Sequence, residues 1–140
     1  GDMATPEVRR FAIDAVTALR IVRDDPEIGG RHPLVGPSVL RSHVLSMLHQ
    51  ETRDGAVDEA VARAQLETLA GLKIRLLGDR VSRATAFTIA RRLDWPDTAP
   101  AEYLAVASLQ ADVLVAGDDH IAAGAAGIVP LADYDELHQD

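Results

Sequence analysis

The feature that most constrains this chain is an alternation: apolar runs of strand length are separated by longer stretches whose apolar residues recur at helical spacing. Strands joined through helices run parallel, because only a long crossover returns the chain to the same end of a sheet. Phe11-Ala12-Ile13 reads as a first strand stopped at Asp14, and Pro33 to Gly36 as a short extended piece. Lys73 to Leu77 looks like an edge strand, and Ile128 to Leu131 reads as a last one. Val113 to Ala116 is wholly apolar between Asp112 and Gly117, as expected of a strand covered on both faces. The expected fold class is α/β, a three-layer α/β/α domain around a central parallel sheet of four to five strands.

The helical segments follow from period and punctuation. Val16, Leu19, Ile21 and Val22 mark a helix stopped by Asp24-Asp25-Pro26 and Gly29-Gly30. Pro37-Ser38 is expected to open a second, with Val39, Leu40, Val44, Leu45 and Leu48 inward and Asp54-Gly55 at its end. A third spans about Val57 to Leu72, its expected core being Val61, Ala64, Leu66 and Leu69. A fourth spans about Asp79 to Leu93, with Val81, Ala84, Phe87, Ile89 and Leu93 as its apolar set, and Trp95-Pro96 breaks it. Thr98 can cap a fifth, which tolerates Pro100 in its first turn and buries Tyr103, Leu104, Val106, Ala107 and Leu109. A short Ala-rich helix, about His120 to Ala126, and an acidic tail complete the order.

At 140 residues the chain is the size of one domain. Gly1, ahead of Asp2-Met3, reads as a cloning remnant, so the expected unit is 2–140. With no cysteine there is no disulfide framework, thiolate metal site or cysteine nucleophile, which fits a cytoplasmic protein. No apolar run approaches membrane-spanning length, and the N-terminus lacks a signal-peptide pattern. The net charge of −8 speaks against an overall field that would hold nucleic acid. Its distribution is uneven: all 14 basic residues lie between Arg9 and Arg92, while residues 93–140 carry ten acids. Such a segment is a solvated face, a cation site or a docking surface for a basic partner.

In open parallel sheets ligands gather beyond the carboxyl ends of strands. Two acids stand there, Asp14 after Ile13 and Asp118 after Gly117. Two carboxylates brought together at that end can hold a hard divalent cation, and a water on it can attack a phosphodiester. From spacing alone each aspartate reads equally as a turn or N-cap residue.

Four segments carry a resemblance: Ile13-Asp14-Ala15, Pro37-Ser38-Val39-Leu40-Arg41-Ser42, Ala101-Glu102-Tyr103-Leu104-Ala105-Val106-Ala107, and Leu114-Val115-Ala116-Gly117-Asp118. In this order and at these separations the chain resembles the PIN-domain family, and within it the VapC-type toxins of bacterial toxin–antitoxin pairs. The resemblance implies a PIN-like fold and an acid cluster binding Mg²⁺ or Mn²⁺. It further implies endoribonuclease activity on RNA, inhibition by an antitoxin-like protein, and a homodimer. Asp14 and Asp118 match the first and last family aspartates. The family glutamate of the second helix falls at His43, and the aspartate three residues before the motif tyrosine falls at Pro100. The small hydroxyl residue often found two before the last aspartate is Ala116.

Three residues are candidate substitutes for the missing acids. Asp119 can turn toward the same cavity as Asp118 or cap the next helix. Glu102 lies two residues beyond Pro100, about 200° around the helix, and reads as a first-turn acid favoured by the helix dipole. His43 can coordinate a metal or act as a base, or be an interior hydrogen-bonded histidine; as a metal ligand, imidazole favours zinc, nickel or iron over magnesium. Arg41 is a candidate contact for substrate phosphate, and Arg20 another, although both also suit ordinary surface pairing. Two functions therefore compete: a Mg²⁺- or Mn²⁺-dependent endoribonuclease, and an inactive binding module for an antitoxin-like protein, through a basic segment, or for RNA. A receiver-type phospho-switch fares worse, because the single lysine, Lys73, does not follow a late core strand.

Overall fold

The computed structural model describes residues 8–139; Gly1 and the other flanking residues lie outside that range. Four short parallel strands, β1 (Phe11–Ile13), β2 (Leu34–Pro37), β3 (Arg75–Leu77) and β4 (Val113–Val115), form one sheet in the order β3-β2-β1-β4. The connections are helical: α1 (Ala15–Asp24), then α2 (Leu40–Arg53) and α3 (Glu59–Ala70), then α4 (Arg80–Arg92) and α5 (Ala99–Gln110). A six-residue α6 (Asp119–Gly124) follows β4, and short 3₁₀ turns cover Ile28–Gly30 and Tyr134–His138. The helices α1, α2 and α3 pack on one another, while α5 packs on the sheet and on α4 and α6. The result is a three-layer α/β/α domain, as the alternation of patterns requires. No helix among the described residues is long and apolar enough to cross a membrane.

Strand burial explains why the sheet was legible. All residues of β1, β2 and β4 are buried, so their sequences show no polar alternation, whereas the edge strand β3 is exposed at Arg75. The central α5 is buried at Ala101 and at every position from Tyr103 to Ala107. A helix apolar on all sides belongs inside the protein, and its alanines let neighbours approach closely.

Several expected core residues lie outside. Val16, Leu45, Val61, Val81, Phe87 and Leu109 are exposed, and so are Ala64 and Ala84. On α4 the buried stripe is Ser82, Ala86, Ile89 and Ala90, at i, i+4, i+7 and i+8. The larger residues Val81 and Phe87 are turned away because α4 meets the alanine-rich α5 through small side chains. On α3 the stripe is Ala62, Leu66 and Leu69, one residue out of phase with Val61. Two boundaries also differ. Pro37 ends β2, and α2 starts at Leu40 with Val39 as its cap. The expected last strand is reduced to a single parallel bridge between Leu114 and Leu131. Pro130 lacks the N–H that would extend the ladder, although its carbonyl accepts from Leu114 N at 2.9 Å. The acidic tail is docked: Leu137 is buried and Asp133 and Glu136 cap the turn reciprocally.

Candidate functional site

The topology decides where a site can form. From β1 the chain moves out through β2 to β3, then returns to the other side of β1 as β4. The strand order thus reverses between β1 and β4, and such a switch point opens a crevice at the carboxyl ends. Because Ile13 is paired with Val115, the residues leaving both strands emerge side by side.

Asp14 leaves β1 there, and it is fully buried. Its Oδ1 accepts from Thr17 N at 2.9 Å, capping α1, and from Gly117 N at 3.1 Å; its Oδ2 accepts from Asp118 N at 2.8 Å. The carboxylate therefore ties the start of α1 to the turn after β4. Thr17 adds a second tie, donating from its hydroxyl to Val115 O at 2.9 Å. Gly117 is needed at this junction, since a Cβ there would lie 2.6 Å from Val16 Cγ1 and 2.9 Å from Val16 Cβ. Asp118 is half-buried and accepts from Ile121 N at 3.0 Å as the cap of α6.

Across from these acids stand the helices. His43 on α2 and Tyr103 on α5 share a hydrogen bond of 2.6 Å between Nδ1 and the phenol oxygen. Burial, followed by the charges of Asp14, Glu102 and Asp118, pushes the Tyr103 phenol well above its ordinary range, so it keeps its proton. A cleft of about 280 Å³ lies between the two sides. Asp14, Asp118, His43 and Pro100 all line it, with apolar walls from Val16, Met47 and Ile121.

The other sequence candidates lie elsewhere. Asp119 is exposed on α6, and Glu102 is half-buried on α5; neither lines the cleft. Arg41 is exposed and borders a separate groove with Leu45 and Leu66. Arg20 pairs with Asp24 at 3.5 Å and lies over the Tyr134 ring at 3.7 Å. Two further lining residues carry little signal in the sequence. Asp97 precedes α5 and accepts weakly from Ala99 N at 3.3 Å, and His120 stacks on Trp95 with ring centroids 4.2 Å apart. Their only sequence signal was position, one shortly before the α5 cap and the other directly after Asp118-Asp119.

A hard cation needs several oxygen ligands free to turn toward it. Among the described residues no three His, Asp or Glu side chains are gathered so as to hold a metal ion. Asp14 is committed to three backbone N–H groups, and the amide of Asp118 points its positive end at that carboxylate. The donors present do not fit a Mg²⁺ or Mn²⁺ site.

The architecture matches a solved structure. The crystal structure of PAE2754 from Pyrobaculum aerophilum superposes with a TM-score of 0.71 at 22% identity, covering 94% of this chain and 95% of that one. At that identity the likeness concerns the fold alone. No protein-family model matches the chain, and no curated protein is similar to it at a significant level.

Proposed function

We propose that this chain is a PIN-like binding domain whose acid cleft receives a basic segment of an antitoxin-like partner, without metal-dependent cleavage of RNA. The observation that carries this reading is the engagement of Asp14: the one fully buried carboxylate of the cleft is spent on three backbone amides. What remains is a cleft lined by Asp97 and Asp118, by His43, His120 and Tyr103, and by apolar side chains, with no Lys or Arg in its wall. Such a surface suits a guanidinium on an aliphatic stem, since low-dielectric walls strengthen the field of Asp118 and Asp97 while Met47 and Ile121 meet the stem. The segment 93–140, which supplies Asp97 and Asp118 to the cleft, carries ten acids and no Lys or Arg. A homodimer and a cytoplasmic setting belong to the same reading.

A second reading, the Mg²⁺- or Mn²⁺-dependent endoribonuclease, is favoured by the meeting of Asp14 and Asp118 at the switch point. Substrate phosphates would have to supply the missing oxygens.

The test joins an NMR titration with a short arginine-rich peptide to an RNA cleavage assay in Mn²⁺. Shifts concentrated at His43, Tyr103, Asp118 and His120, weakened in Asp118→Asn, without cleavage, are expected. Cleavage that requires Mn²⁺ and vanishes in Asp118→Asn would contradict the binding reading and favour the second.

A further inference from the structure

On the outer face of α4, a helix that contributes nothing to the acid cleft, Val81 is 61% exposed and Phe87 is 64% exposed. At about 100° per residue they are separated by roughly 120° around the helix, with exposed Ala84 midway between them. The three form an apolar patch with a small residue at its centre, a shape into which a neighbouring helix can set a side-chain ridge. The ends and one edge of this patch are arginines: Arg80 precedes it, Arg91 follows it, and Arg83 lies beside Phe87. The helix holds four arginines and no acid.

Helix electrostatics accounts for Arg91 and Arg92 in the last turn, and the N-cap carboxylate of Asp79 attracts Arg83, but neither accounts for Arg80. Arg80 and Arg83 sit in the first turn, where the positive end of the dipole disfavours cations. Arg83 donates to Gly78 O at 2.9 Å, and among the described residues neither Arg80 nor Arg91 forms an ion pair. An apolar centre with a charged rim is the anatomy of a protein interface, and here the rim is mostly basic, with the N-cap Asp79 as an acid at its first turn.

We propose that this face of α4 docks an amphipathic helix of another protein, with an apolar stripe over Val81, Ala84 and Phe87 and acidic residues flanking that stripe. A second copy of this chain fits poorly, because α4 against α4 sets arginines against arginines. The chain's own acidic third offers no free helix either, since α5 is buried and α6 has six residues. Nucleic acid would use the arginines and the Phe87 ring but gain little from Val81 and Ala84.

The experiment is a selection from displayed amphipathic helices, randomised at the positions flanking the stripe, on the full chain. Binders are first depleted on the double variant Val81→Glu/Phe87→Glu, whose thermal unfolding should match wild type because both positions are exposed. Surviving helices should be enriched in Asp and Glu at the flanks and bind Arg80→Glu/Arg91→Glu at least roughly tenfold more weakly. Lysine-flanked versions should recover binding to that charge-reversed variant. Absence of survivors, or survivors with neutral or basic flanks, would overturn the proposal. So would concentration-dependent self-association lost in the double variant, which would assign the face to a second copy. Tighter binding of a single-stranded oligouridylate, lost in the arginine variant, would assign it to nucleic acid.

Discussion

The two sides of the cleft differ in what holds their residues in place. On the strand side, Asp14 and Asp118 each accept backbone hydrogen bonds that the fold requires: one caps α1 and clamps the β4 turn, the other caps α6. On the helix side, His43 and Pro100 stand where the resemblance calls for acids, and no backbone group depends on an acid at either place; His43 bonds only the phenol of Tyr103. The two acids present on the strand side, Asp14 and Asp118, both have a structural duty. Their presence is therefore explained by folding, and it does not by itself argue for a metal.

That comparison breaks or sharpens under substitution, and the largest effect belongs to Asp14. Asp14→Ala removes the acceptor for three buried amides and should cost about 3–5 kcal/mol in urea unfolding without added metal. A neutral or stabilising change would mean that the carboxylate is held against its own electrostatics for function, and the structural account of the strand side would fail. Gly117→Ala should follow, at about 1–3 kcal/mol, because its Cβ meets the β-branched Val16 and pulls an amide off Asp14. A cost below that of an exposed Gly30→Ala control would show that the junction has slack. Asp118→Ala loses a cap and should cost about 1 kcal/mol, with amide exchange rising in α6 before the rest of the chain.

The helix side predicts a smaller effect that depends on pH. Both tyrosines of the chain have raised pKa values in the folded state: Tyr103 by burial and then by Asp14, Glu102 and Asp118, and Tyr134, to about 12, by burial and then by Asp24. Below pH ~10 both folded and unfolded forms are neutral, so this contribution to stability is fully present. Above it the unfolded tyrosines ionise first, and stability should fall as pH rises toward the folded values. The phenolate absorbance of the native protein should show no ionisation near pH 10, and Tyr103→Phe should flatten the alkaline loss of stability. A phenolate signal near pH ~10 that is present in the wild type and absent from Tyr103→Phe would mean that the His43–Tyr103 pair is open to water.

The sequence revealed the two sides unequally, for physical reasons. Asp14 and Asp118 were visible because β1 and β4 are buried on both faces, and each ends in an unbroken apolar run with an acid just beyond. The α4 face is not legible in the sequence because its buried stripe consists of Ser82, Ala86, Ile89 and Ala90, most of them too small to register as apolar period. Val81 and Phe87 dominated the pattern while pointing outward. Asp97 was hidden because a loop carries it to the cleft, and His120 because it sits in the first turn of the six-residue α6. Asp94 takes a left-handed conformation at φ 55° just after α4, and the following Trp95 stacks on His120.

The central claim is that this cleft, with Asp14 spent on backbone amides and no acid at positions 43 and 100, does not hold a divalent metal. Calorimetric titration with Mn²⁺ of the metal-free wild type beside His43→Glu/Pro100→Asp tests it directly, since the variant places acids at both positions while leaving Asp14 and Asp118 untouched. No saturable binding by the wild type up to about 10 mM, and binding by the variant at micromolar to low millimolar levels, is the predicted result. Saturable binding by the wild type in that same range would contradict the account, because Asp14 and Asp118 would then hold a metal despite their backbone partners.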